Sequence, residues 1–160
     1  MGKYSLIFQS TTVGLIMSKF LISYLLRETH PNDFHDIFKE KLKECNCSEF
    51  VIAVDNNKEE FFCKLPHTTL WCQGNAAKIE KGVFEIANEV LDDAVKAGQL
   101  SAGSADLIKR KGGLLENFSL SFLSDSISTL PMMLVKDGTR TGKVYPTVDI
   151  DKCLEYQKNI

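Results

Sequence analysis

The spacing of apolar side chains changes period along the chain, and each change marks an element. The most regular stretch is Ala76 to Ala97, where Ile79, Val83, Ile86, Ala87, Val90 and Ala94 recur on one helical stripe and Gly98 follows as a terminator. A shorter stripe of Phe34, Ile37, Phe38 and Leu42 predicts an amphipathic helix reaching Glu44. Pro31 breaks the chain before it, and Asn32 or Asp33 is placed to cap it. Ser104 suits the cap of a short helix to Arg110, closed by the turn Lys111-Gly112-Gly113. Asp149 or Asp151 opens a C-terminal helix that buries Cys153, Leu154 and Tyr156.

Elsewhere the pattern is that of strands. Glu49 to Asp55 and Glu60 to Leu65 form a hairpin across Asn56-Asn57-Lys58, since asparagine tolerates the left-handed region. Thr68 to Gln73 is a third strand, ended at Gly74-Asn75, and Lys3 to Gln9 has strand character. Leu114 to Leu123 alternates Phe118, Leu120 and Phe122 with Asn117, Ser119 and Ser121, the mark of a half-buried strand. Met132 to Lys136 and Lys143 to Val148 make a second hairpin. Residues 11–26 read two ways. Ser10 to Thr12 would cap a helix carrying Val13, Met17, Leu21 and Leu25, or Phe20 to Leu26 is a buried strand, apolar on both faces.

Helices alternating with antiparallel strand pairs predict one α+β domain over residues 1–160, an antiparallel sheet with helices packed on one face. With Phe20 to Leu26 as a strand, the middle of the chain has the ferredoxin-like order β-α-β-β-α-β, followed by an added C-terminal hairpin and helix. Met17-Ser18-Lys19-Phe20 also reads as a start, which would make residues 1–16 an accessory extension.

Composition narrows the classes. A chain of 160 residues buries roughly 70% of the surface its unfolded form exposes, enough for a core without staples. A net charge of −2 gives no electrostatic case for non-specific binding to nucleic acid or to anionic membranes. The apolar run from Thr11 to Leu26 is too short and too interrupted to span a bilayer. Five cysteines are an odd number, and Cys45-Asn46-Cys47 has the wrong spacing for a zinc knuckle and no second pair. Reduced thiols, a cytoplasmic location, and no metal or cofactor are expected.

Four motifs bear on chemistry. His67 stands two residues before Thr69, which on a strand puts imidazole and hydroxyl on one face, fit to hold a phosphate or move a proton. With the extended segment Phe61 to Pro66 before it, this resembles one half-motif of the two-histidine phosphoesterases, which act on cyclic nucleotides and RNA ends. The resemblance implies a second His-x-Thr or His-x-Ser strand facing the first. Pro146 occupies the matching place in Val144 to Val148, and neither His30 nor His35 has Thr or Ser two positions on. A second, shorter likeness runs through Glu49 to Leu65, Leu70-Trp71 and Lys81 to Glu85. It is similar to the sheet-to-helix segment of TRAPP-type tethering subunits, without their leading helix or any counterpart to residues from Ile127 onward.

Gly138-Thr139-Arg140-Thr141-Gly142-Lys143 would cradle an anion with backbone amides and with Arg140 and Lys143, although its length and following Val144 do not fit a nucleotide phosphate loop. Glu85, Glu89 and Asp92 or Asp93 fall on one helix face, a row open to magnesium or to solvent. Trp71 is a candidate stacking platform or a core residue, and Lys109-Arg110-Lys111 is a compact basic spot. No complete nucleophile, metal or acid–base set is present in the sequence. The chain is therefore expected to be a non-catalytic interaction protein that self-associates as a homodimer, pairing sheet edges or apolar helix faces. The alternative is a nucleotide- or phosphoester-binding protein using His67, Thr69, Trp71, Arg140 and Lys143.

Overall fold

The structure, a computed structural model, describes residues 18–29, 33–54, 57–123 and 149–160, together with the backbone of Met133–Lys136 and Thr141–Thr147. In chain order the elements are β1 (Ser18–Leu26), α1 (His35–Glu44), β2 (Phe50–Val54), β3 (Glu60–Lys64), β4 (Thr69–Gly74), α2 (Ala76–Lys96), α3 (Ala102–Arg110), β5 (Leu115–Leu123), β6 (Met133–Lys136), β7 (Thr141–Thr147) and α4 (Ile150–Lys158). The fold is α+β with antiparallel pairing throughout these strands. The segment expected as a strand at Lys3 to Gln9, and the extension over residues 1–16, lie outside the described residues.

The open question over residues 11–26 resolves toward a strand for Ser18–Leu26, and the reason lies in its place. β1 is the middle strand of the sheet β4-β1-β5, with apolar residues directed to both faces. Ile22, Tyr24 and Leu26 point into a core built with Phe38 and Leu42 of α1 and Ile79, Val83, Ile86 and Val90 of α2. Leu21 points the other way, into a second core holding Trp71, Val51, Ile52 and the α4 residues Ile150, Cys153 and Leu154. With apolar side chains on both faces, Leu25 included at 48% exposure, the strand loses the alternation that would identify it. β4 repeats the case: Leu70 and Cys72 join the first core and Trp71 the second, all with 0% exposure. The helices are thus not confined to one face, because α4 packs on the side opposite α1 and α2.

The strand order departs from a single sheet. β2 pairs with β3 on one side and with β7 on the other, giving the second sheet β3-β2-β7-β6. Among the described residues, backbone pairing with the first sheet is made only by Ser48, just ahead of β2. Its amide donates to Trp71 O at 2.8 Å and its carbonyl accepts from Trp71 N at 2.9 Å. Pro146 of β7 lies opposite Ala53 of β2, and among the described residues β6 pairs β7 over Thr141 to Val144. The β6–β7 turn at 137–140 lies outside the described residues.

Local chemistry sets the ends of the helices. Asn75 caps α2, its side chain accepting from Lys78 N at 3.2 Å, and Gly98 leaves it at φ +73°. α3 begins earlier than expected: Ser101, not Ser104, is the cap and accepts from Ser104 N at 3.1 Å. Asp149 caps α4 in the same way through Lys152 N. On α1 the buried stripe is Phe34, Phe38 and Leu42, four residues apart, and Ile37 is turned out to 43% exposure. Tyr156 is half-buried, its ring stacked on Phe62 at 4.0 Å and edge-on to Phe50 at 5.0 Å. Among the described residues no helix is long and apolar enough to cross a membrane.

Candidate functional site

His67 lies in the turn that precedes β4, where Thr69 N donates to Pro66 O at 2.9 Å. It is therefore not a strand residue, and the alternation that would set it beside Thr69 does not apply. Thr69 opens β4 opposite Ser23 and, by alternation, shares the face of Trp71, away from the α1 side to which Leu70 and Cys72 turn. Trp71 has 0% exposure and its indole N–H donates to Phe50 O at 2.6 Å, so no face of the ring is open to a ligand. Arg140 lies outside the described residues, and of Lys143 only the backbone, paired with Leu134, is described.

The structure brings a different residue to His67. The ring of His35, at the start of α1, stands 5.8 Å from the His67 ring, centroid to centroid and tilted by 40°. No local spacing signals this, because the two histidines come from a helix start and a strand-preceding turn and meet only when α1 docks on the sheet. Beneath them, the Lys39 ammonium donates to His67 O at 3.0 Å and contacts the Glu49 carboxylate at 3.1 Å, with both side chains 7% exposed. Lys43 and Lys64 approach the same carboxylate at 3.3 and 3.8 Å. Burial alone would push the Glu49 carboxyl up. The Lys39 hydrogen bond and the charges of Lys43, Lys39 and Lys64 outweigh it and hold the group below its ordinary value. Lys39 is thereby committed to fixing the turn rather than offering its charge to a ligand.

Two polar atoms near this seam, Tyr24 Oη and His35 Nδ1, are buried without hydrogen-bond partners. The Tyr24 ring packs edge-on to Phe38 at 4.9 Å, and its amide donates to Thr68 O. Burial first, and then the negative field of Asp36, Cys47 and Glu49, pushes its hydroxyl up to about 12. Chemically, the seam offers two adjacent imidazoles over a fixed ion pair.

The acid row on α2 is parcelled out among lysines. Lys41 of α1 lies 3.7 Å from Glu89 and 3.2 Å from Asp93, Lys81 lies 3.8 Å from Glu85, and Lys109 of α3 lies 2.7 Å from Asp92. Among the described residues no group of three or more His, Cys, Asp or Glu side chains is arranged to hold a metal ion. All five cysteines are free thiols, and four of them are buried. Burial pushes Cys45 up to about 12 and Cys153 up to about 11.

A third feature is the outer edge of the first sheet. β5 pairs with β1 along its length, and among the described residues no strand lies on its other side. Phe122 is 67% exposed and touches Phe20 edge-on at 6.0 Å, while Phe118 meets Phe84 of α2 at 5.8 Å. Phe118 and Leu120 are half-buried, and the serines between them are exposed. The chain matches no family model, no curated protein and no solved structure.

Proposed function

We propose that the chain is a non-catalytic interaction protein that self-associates through β5. The observation that carries this is the sequence of that edge. Phe118-Ser119-Leu120-Ser121-Phe122 reads the same in both directions on a nine-residue strand with an open side among the described residues. A two-fold axis through Leu120 sets two copies antiparallel, with Phe118 opposite the partner's Phe122, Ser119 opposite the partner's Ser121, and Leu120 opposite itself. A two-fold interface must be self-complementary, and a palindromic strand meets that condition residue by residue. Each aromatic cross-strand pair adds about 0.2–1 kcal/mol, and the backbone ladder closes the unpaired edge. The strand carries none of the usual protections against edge pairing: it has no proline, no lysine, and Glu116 as its sole charge.

Sedimentation at about 100 µM, a hundredfold above a micromolar dissociation constant, tests this. The native chain is expected to sediment as a dimer and Phe122→Lys as a folded monomer. A native chain that remains monomeric at that concentration removes the reading. In the same reading, β5-β1-β4 is the centre of a ferredoxin-like order whose next strand, among the described residues, pairs its backbone with it only at the preceding Ser48. The free thiols support a reducing, cytoplasmic setting.

One observation favours a second reading, a phosphoester-handling protein. His35 supplies beside His67 the second imidazole that acid–base work on a phosphate ester requires. Phosphorus NMR of a mixture of 2′,3′-cyclic nucleotides checks it. Turnover abolished by either His35→Ala or His67→Ala supports this reading, and an unchanged spectrum eliminates it.

A further inference from the structure

We infer that the cleft between α2, α3 and the start of β5 is a binding site for a nucleobase-bearing small molecule, separate from the histidine seam and independent of self-association. The cleft has a volume of about 430 Å³ and is lined by Phe84, Asn88 and Asp92 of α2, Lys109 of α3, and Gly113 and Leu114 of the loop into β5. That volume falls within the range of small-molecule sites, toward its lower end, and suits a flat ring with a sugar better than a long chain. The lining has the two characters such a ring needs. Phe84 is 41% exposed and leaves apolar π surface for stacking, whereas Leu114 behind it in the lining is itself fully buried. The polar side holds the Asn88 amide and the Asp92–Lys109 pair.

The Asn88 amide carries a donor and an acceptor side by side, the complement of the donor–acceptor edge of a base. The Asn88 side chain is exposed at the mouth of the cleft lining. Asp92 is an acceptor for an exocyclic amine or a ribose hydroxyl, and Lys109 is a cation for a phosphate. Their ion pair at 2.7 Å has side chains 53% and 39% exposed, so it contributes little to the fold and opens at little cost when a ligand competes. It also stands between this cleft and a neighbouring one of about 290 Å³ that shares Asp92 and Lys109.

The loop that lines the cleft depends on two glycines. Gly112 and Gly113 take φ of +111° and +94°, a backbone that a side chain at either position would strain, and Gly113 lies beside Asn88 Oδ1. Arg27 of β1's exit holds this loop in place, donating to Gly113 O at 3.1 Å and to Lys111 O at 2.9 Å. An exposed amide, an aromatic wall, a labile ion pair and a clamped glycine loop thus meet at one place that no apolar pattern in the sequence marks.

The test is a thermal-shift and saturation-transfer NMR series on the full chain with adenosine, guanosine, cytidine and uridine, each also as its 5′-monophosphate. At about a hundred times its dissociation constant the preferred ligand should raise the melting temperature by roughly 5 °C or more. Asn88→Leu should abolish the shift, Phe84→Leu should weaken it about tenfold, and His67→Ala should leave it unchanged. A monophosphate advantage that disappears in Lys109→Ala assigns the phosphate contact. No saturable effect from any of the eight compounds overturns the inference, as does binding that survives Asn88→Leu or is lost in His67→Ala. Because these variants lie outside Phe122 and its strand, sedimentation of Asn88→Leu should match that of the native chain.

Discussion

Replacing Glu49 with glutamine should be among the most damaging single changes to the fold. Glu49 faces Lys39 at 3.1 Å with both side chains 7% exposed, and Lys39 also supports the turn through His67 O. Glutamine keeps the shape and removes the charge, leaving the Lys39 ammonium buried against a neutral amide. Breaking one side of a buried pair costs about 3–5 kcal/mol. Lys43 and Lys64 are more exposed and rehydrate easily, so they neither add to the cost nor relieve it. For a domain of this size that corresponds to a fall of roughly 6–20 °C in melting temperature. Urea denaturation followed by Trp71 fluorescence is the assay, since the indole bonds Phe50 O next to Glu49 along the chain. Lys39→Met with Glu49→Leu should recover most of the loss, because no charge is then left uncompensated.

The pH dependence of this pair has a definite sign. The folded Glu49 carboxyl lies below its ordinary value of 4.5, so the unfolded chain takes up the proton first as pH falls. The stabilisation is fully present above about pH 4.5 and is lost as pH drops through the folded value, so the gap between the native chain and Glu49→Gln narrows only on the acid side. A loss below about 1 kcal/mol at pH 7, or a gap unchanged down to pH 3, would refute the assignment of this pair as the anchor of the seam.

Tyr24→Phe removes a buried hydroxyl that has no partner. It should be neutral or stabilising by up to about 1 kcal/mol in the same denaturation assay, and a loss larger than that would show the hydroxyl to be bonded. With an aromatic disulfide reagent at pH 8, Cys63 should react first and alone in the native state, because the other four thiols are buried. All five should react in guanidinium, and fast native labelling of Cys45 or Cys153, whose thiols burial pushes up, would contradict their placement.

The elements with one buried face were legible in the sequence. The α2 stripe was readable because Ile79, Val83, Ile86 and Val90 all meet one sheet and the far side is solvated. β5 was readable for the same reason. Elements buried on two faces carry no such signal, and β1 stayed ambiguous until its neighbours were placed. Ile37 shows the opposite error. It sits next to Phe38 on the helix, and apolarity alone gives it to the core, yet the buried position on its other side is taken by Lys39, which follows Glu49 inward. A buried lysine is invisible to hydrophobic patterning because its partner lies on another element.

The strand order was hidden for a related reason. A pattern of strands and helices fixes their sequence but not which edges meet, and β2 is apolar enough to fit beside β4 along its whole length. The backbone shows why it does not. Past the Ser48–Trp71 bridge, Glu49 O accepts from Leu65 N, while Glu49 N donates to Gln157 Oε1 at 2.8 Å and Cys47 O accepts from Gln157 Nε2 at 3.0 Å. The Gln157 amide of α4 thus satisfies main-chain groups on both sides of Ser48, and a buried strand start avoids carrying unpaired groups. With those groups met by a side chain, β2 is free to leave the first sheet and pair with β3 and β7. The switch depends on one glutamine 108 residues beyond Glu49, polar and unremarked in any periodicity. The same remoteness hid His35 from His67, 32 residues apart in sequence and adjacent only after α1 has packed.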